Sequence, residues 1–83
     1  MGTARHKPEH LAAKLLAIRL GLNLSQSQLI AGLRCDLTNA RISEYENGVR
    51  VPGLLTLLAY ARVARVKVEV LIDDDLSLPK DRF

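Results

Sequence analysis

The sequence predicts an all-α domain, a compact bundle of five short helices. Three observations carry that expectation. Apolar residues recur with the helical period in the first and fourth segments, as Leu11, Leu15, Ile18 and Leu22 and as Leu54, Leu57, Leu58 and Ala61. Start residues open two shorter segments between them, at Ser25 and at Thr38, and Asn47-Gly48 stops the second of these. Hydrophobic residues make up 48% of the chain, yet there is no Trp, one Phe and two Tyr, so the core must be aliphatic, as packed helices allow. At 83 residues the expectation is one small domain.

The elements follow in order. Residues 1–7 are polar and unpatterned, and are expected to form a loose N-terminal tail. Pro8 suits the first turn of the first helix, where a missing N–H costs nothing. Asn23 fits that helix's exit. Ser25-x-x-Gln28 is a capping box that opens a second helix of about two turns, Gln26 to Leu33. Arg34-Cys35-Asp36-Leu37 then turns the chain. Thr38 can cap a third helix by accepting from the backbone N–H of Ala40 or Arg41. Asn47-Gly48 ends it, because both residues tolerate the left-handed conformation. Pro52-Gly53 punctuates the boundary before the fourth helix. Val66 to Ile72 alternates like a strand, but a lone strand has nothing to pair with, so a short fifth helix is expected. The domain is thus placed at 8–72, with 73–83 as a short C-terminal tail lacking a helical pattern.

Charge is uneven. Residues 1–67 hold ten Lys/Arg against four Asp/Glu, whereas residues 68–83 hold two against five. A basic body with an acidic end fits a nucleic-acid binder and equally an ordinary uneven surface. No apolar run approaches a membrane span and no signal-peptide core opens the chain, so a cytoplasmic protein without membrane contact is expected. Cys35 stands alone, without a nearby base or partner thiol. His6 and His10 are i, i+4, but Pro8 between them speaks against a metal site. No Gly-rich phosphate loop or nucleophile–base set is present, so neither an enzyme nor a cofactor is expected.

The third helix is the most informative segment. At 100° per residue, Ile42, Tyr45 and Glu46 share one side, while Ala40, Glu44 and Asn47 face the other, flanked by Arg41 and Ser43. A short, polar outer face preceded by another capped helix suits the major groove of DNA. Ile42-Ser-x-Tyr-Glu-Asn-Gly with Arg50-x-Pro52, Leu24-Ser25-Gln26-x-x-Leu29 upstream and Leu57-Leu58-x-x-Ala61 downstream resemble the lambda-repressor/Cro-like helix-turn-helix family, also called the XRE family. The resemblance covers roughly residues 10–72 and implies its five-helix fold, with the second and third helices as the helix-turn-helix.

Candidate roles combine both sources. Asn39, Ala40, Arg41 and Glu44 are placed for base readout: Asn pairs with adenine, Arg with guanine, Ala with a thymine methyl, and Glu with a cytosine amino group unless it pairs with Arg41 at i, i+3. Gln26, Thr38, Asn47 and Arg50, with Lys67 in addition, are candidates for phosphate contacts. The resemblance further implies an ion pair between Arg19 and Glu46, and periodicity separately puts Glu46 on an inner face where an unpaired carboxylate would be costly. Two departures from the family pattern stand out. The chain is longer than usual between Ser25 and Thr38, and Ile30 occupies a position usually held by a small Ala, which Ala31 could replace if the second helix were rotated.

The expected function is sequence-specific binding of double-stranded DNA by a small transcriptional repressor or regulator, reading a palindromic operator as a homodimer. The alternative is a protein-interaction module, such as an antitoxin or bridging cofactor, docking through Asp73-Asp74-Asp75 with Leu76 and Leu78. Val66, Val68, Val70, Leu71, Ile72, Leu76 and Leu78 outnumber what one short helix can bury, so the dimer is expected through the region after the fourth helix, with residues 73–83 dispensable for folding.

Overall fold

The computed structural model describes residues 8–83; the expected tail 1–7, with His6, lies outside the described residues. The described chain runs α1 (Leu11–Gly21), α2 (Gln26–Leu33), α3 (Asn39–Glu46), α4 (Leu54–Ala64) and α5 (Val68–Ile72), with no strand among the described residues. The core joins all five through Leu11, Leu15, Ile18, Leu29, Leu33, Ile42, Tyr45, Leu57, Tyr60, Ala61, Ala64 and Leu71. It is almost wholly aliphatic, as the composition requires.

The local signals act as read. Ser25 and Gln28 form the reciprocal capping box, and Thr38 Oγ1 accepts from Arg41 N at 3.1 Å. α1 ends with Asn23 in the left-handed region (φ 59°), Asn23 N donating to Leu20 O and Leu24 N to Arg19 O. α3 ends in the same motif, but Gly48 alone takes the positive φ of 77°; Asn47 stays right-handed. Arg34 and Arg65 take the same left-handed exit after α2 and α4, a role no turn residue announced. Their positive charges lie at the negative ends of those helices, which favours arginine over a neutral residue there.

Several expectations are corrected. α1 begins at Leu11, and Pro8 precedes it rather than opening its first turn. Leu54 is exposed, because the inner face of α4 runs Leu57, Tyr60, Ala61 and Ala64, one turn further on. Leu22 caps α1 at the surface. Ala31 is exposed while Ile30 packs on the core, so α2 has not rotated to substitute one for the other. The alternating Val66–Ile72 segment is helical, with Leu71 fully buried and Val66 and Val68 against the core. Two copies therefore have no strand there to pair edge to edge.

Residues 73–83 return to the body of the protein. α1 has no side-chain cap of its own; instead the Asp74 carboxylate accepts from Glu9 N at 2.9 Å and His10 N at 3.1 Å. Lys14, buried on the same stripe as Leu11 and Leu15, donates from Nζ to Val70 O (2.7 Å) and Asp73 O (3.0 Å) at the end of α5. Arg82 donates to Ala64 O and Arg65 O, closing α4. Phe83 lies so close to Gly21 that an added Cβ would meet its Cδ1 at 2.7 Å. These contacts make the segment part of the packed body, so removing it takes away the acceptors at the start of α1 and the donors at the end of α4.

The two backbone N–H groups from Glu9 and His10 hold the Asp74 carboxyl below the usual carboxylate range. A depressed folded value stabilises the fold fully above the unfolded value of about 3.9 and loses that contribution as pH falls through the lower folded value. Asp74→Ala is therefore expected to melt below the parent near neutral pH, with the gap narrowing as pH drops from 4 toward 2. A gap that stays constant across that range would rule out the carboxylate's charge as its origin.

Candidate nucleic-acid interface

α3 is held from beneath by one ion pair. Arg19 Nε donates to Glu46 Oε2 at 2.7 Å and Nη2 to Oε1 at 3.0 Å, a two-pronged contact, while Nη1 reaches Leu24 O at 3.1 Å. The side chains are 16% and 6% exposed, so the pair is largely removed from water. Glu46 raises the Arg19 pKa through this hydrogen bond, against the lowering effect of burial. Beside it, burial first and the Glu46 charge second push the Tyr60 phenol upward, and its hydroxyl is buried with no hydrogen-bond partner among the described residues. The polar layer under α3 is thus centred on Arg19.

On the outer side the candidate residues sit together. Thr38, Asn39, Ala40 and Asn47 are exposed, and Arg41, Ser43 and Glu44 are half-buried along the same helix. Two hydrogen bonds fasten α3 to the first turn of α2: Gln26 Nε2 donates to Ser43 Oγ at 2.9 Å, and Ser27 Oγ donates to Asn39 Oδ1 at 3.3 Å. Asn39 keeps its amide NH₂ free of these contacts. Glu44 Oε1 lies between two arginines, 3.0 Å from Arg41 Nε and 3.2 Å from Arg50 Nε. Arg50 reaches it because Val49 N and Arg50 N both donate to Glu44 O, folding the connection back over the end of α3. Lys67, at the N-cap of α5, is exposed and takes no part in this set.

The model of the helix-turn-helix family matches residues 15–71, more than half of the chain. The chain belongs to the XRE helix-turn-helix family. No curated protein and no solved structure matches it. As in the fold that this family implies, α2 and α3 form the helix-turn-helix, and the longer connection between them is accommodated by the left-handed Arg34 and by Cys35 and Leu37 packing on the core. No described helix is long and apolar enough to cross a membrane.

Sequence reasoning found the ion pair and the Arg41–Glu44 contact but missed Ser27 and Ser43 as links between the two helices. Both are small hydroxyls whose partners lie 12 and 17 residues away, and no local spacing rule reaches that far. Lys14 was findable, since it stands at i+3 on the stripe of Leu11, Leu15 and Ile18.

Removing one partner of a buried pair leaves the other uncompensated, at a cost on the order of 3–5 kcal/mol. Arg19→Met is accordingly expected to lower the urea midpoint sharply, and Arg19→Met with Glu46→Leu to recover much of the loss. An Arg19→Met variant as stable as the parent would mean the pair contributes nothing to holding α3.

Proposed function

We propose that this helix-turn-helix chain binds double-stranded DNA sequence-specifically as a small cytoplasmic transcriptional repressor, without a catalytic step of its own. The observation that carries the reading is the outer face of α3, where Asn39, Ala40, Arg41 and Glu44 stand together on a helix braced by Arg19–Glu46 and tied to α2. In this reading α3 enters the major groove. Asn39 offers its free amide to an adenine edge, Arg41 its guanidinium to guanine, and Ala40 a methyl contact to thymine. Gln26, Thr38, Asn47 and Arg50 take the flanking phosphates. One such head spans too few base pairs for high specificity, so a two-fold dimer on a palindrome supplies the second half-site.

Glu44 gives the reading its specificity. A phosphate approaching Arg41 or Arg50 must displace a carboxylate already paired with both. A matched site repays that loss by offering a cytosine amino group; a random site does not. The protein-interaction alternative is less well supported, because Asp74 is engaged at the start of α1 and Leu78 packs on the core.

The test is a mobility shift on duplexes selected from a random library, titrated with salt. Arg41→Ala and Asn39→Ala are each expected to lose roughly 1–3 kcal/mol on the selected site and to relax its sequence preference. Variants that bind every sequence as the parent does would remove α3 as the reader. Glu44→Gln is expected to tighten binding to unrelated duplex and to steepen the slope of log K against log salt by about one to two. An unchanged slope would show that Arg41 and Arg50 meet phosphate no more readily without the carboxylate.

A further inference from the structure

Toward their C-terminal ends α2 and α4 leave a groove of about 360 Å³ between them, lined by Gly32, Leu33, Arg34, Ala59, Arg62 and Val63. Leu33 is buried and Ala59 and Val63 half-buried, whereas Arg34 and Arg62 are exposed. Gly32 keeps the groove open: an added Cβ there would stand 3.8 Å from Val63 Cγ2, so a longer side chain would fill the space. Arg65 follows Arg62 at the exit of α4. None of these three arginines is in an ion pair among the described residues. From Gln26 to Leu37 and from Leu54 to Lys67 the chain sets Arg34, Arg62, Arg65 and Lys67 against Asp36 alone. Arg34 and Gln26 stand at opposite ends of α2, so the groove lies off the reading face. Arginines around an apolar hollow suit an acidic element that brings apolar side chains of its own; a phosphate backbone has nothing to place in the hollow.

The same chain presents that chemistry elsewhere. From Val68 to Leu76 it holds Glu69, Asp73, Asp74 and Asp75 and no Lys or Arg. Asp74 serves the start of α1, but Glu69, Asp73 and Asp75 are exposed, lie around Ile72 and meet no cation among the described residues. Ile72 and Leu76 are the large apolar side chains exposed after α4, at 41% and 40%. The acidic surface and the groove belong to opposite ends of α1. Asp74 touches its start, whereas Arg82 ties the end of α4 beside Phe83, which packs on Gly21 at its finish. The 11 residues of α1 set these ends about 16 Å apart, so the two surfaces find each other between copies and not within one.

We propose that the groove between α2 and α4 receives the α5 end of a second copy of this chain, with Ile72 and Leu76 entering the hollow and Glu69, Asp73 and Asp75 meeting Arg34, Arg62 and Arg65. Because the joined surfaces differ, the contact is head-to-tail, and each copy keeps a groove or an acidic end for the next. It involves neither a two-fold axis nor the reading face, and it stands whether or not the chain reads DNA. Its small area makes it weak, and its exposed charges make it sensitive to salt.

The experiment is sedimentation equilibrium without DNA, at high protein concentration, on the parent and three variants whose melting curves verify folding. Arg34→Glu/Arg62→Glu reverses the groove, Glu69→Lys/Asp75→Lys reverses the acidic end, and Gly32→Leu fills the hollow without changing charge at a helical position where glycine is unfavourable. The parent is expected to self-associate, about tenfold less tightly when salt rises from about 0.05 M to about 0.5 M. Each variant alone is expected to lose at least about tenfold. An equimolar mixture of the two charge-reversed variants is expected to regain the association, since each then offers the sign the other lacks. The proposal is overturned if the parent stays monomeric at low salt, if the charge-reversed variants associate as the parent does, if their mixture regains nothing, or if Gly32→Leu has no effect. It is overturned equally if Arg34→Gln/Arg62→Gln leaves self-association intact but lowers the salt slope of duplex binding by about two, which would give these arginines to phosphate.

Discussion

Glu46 can lie inward only because Arg19 meets it there. The two prongs of the guanidinium satisfy both carboxylate oxygens, and the third nitrogen reaches the carbonyl of Leu24 just before α2 begins. One side chain of α1 therefore touches the end of α3 and the entry to α2. Such a pair adds little net stability over an apolar replacement, because both charges were well solvated in the unfolded chain. Its effect is geometric: the planar fork admits few relative placements of the helices it joins. Everything on the outer face of α3 inherits its position from this contact, including the hydrogen bonds from Gln26 to Ser43 and from Ser27 to Asn39.

A second set of polar contacts closes the bundle at its ends. A helix of five residues such as α5 cannot stand on its own hydrogen bonds, since nucleation is costly and few bonds repay it. Lys14 supplies donors to the carbonyls of Val70 and Asp73, Asp74 supplies acceptors at the start of α1, and Arg82 closes α4. The acidic excess of the C-terminal residues is thereby explained in part by the fold itself. Asp74 serves the positive end of a helix, a local electrostatic role that the overall charge asymmetry does not reveal.

The outer face carries a different kind of polarity. Arg41, Glu44 and Arg50 are solvent-facing, and such pairs contribute from nothing to about 1 kcal/mol. They matter for what they make available. Shared between two arginines, the Glu44 carboxylate sets the conditions under which either guanidinium is free to meet another anion. The apolar cluster just beyond it, from Val49 to Leu55, gives the same region a surface that water does not favour.

The sequence by itself determined the helices, their order and most of their ends. Hydrophobic periodicity, the Ser25–Gln28 box, Thr38, Asn23 and Gly48 all act within a few residues, and local backbone sterics and hydrogen bonding suffice to read them. It also determined the inner and outer faces of α3, and, through the family resemblance, the Arg19–Glu46 pair. Tertiary structure alone decided the rest. The alternating valines of α5 became helical because Val68 and Leu71 can both reach the core in that conformation. Arg34 and Arg65 took left-handed exits that arginine does not favour intrinsically. The links from Ser27, Ser43, Asp74 and Arg82, and the exposure of Leu54, depend on neighbours distant in sequence. Such contacts form only once packing has fixed which surfaces meet, and no short-range pattern encodes which distant atom a side chain will find.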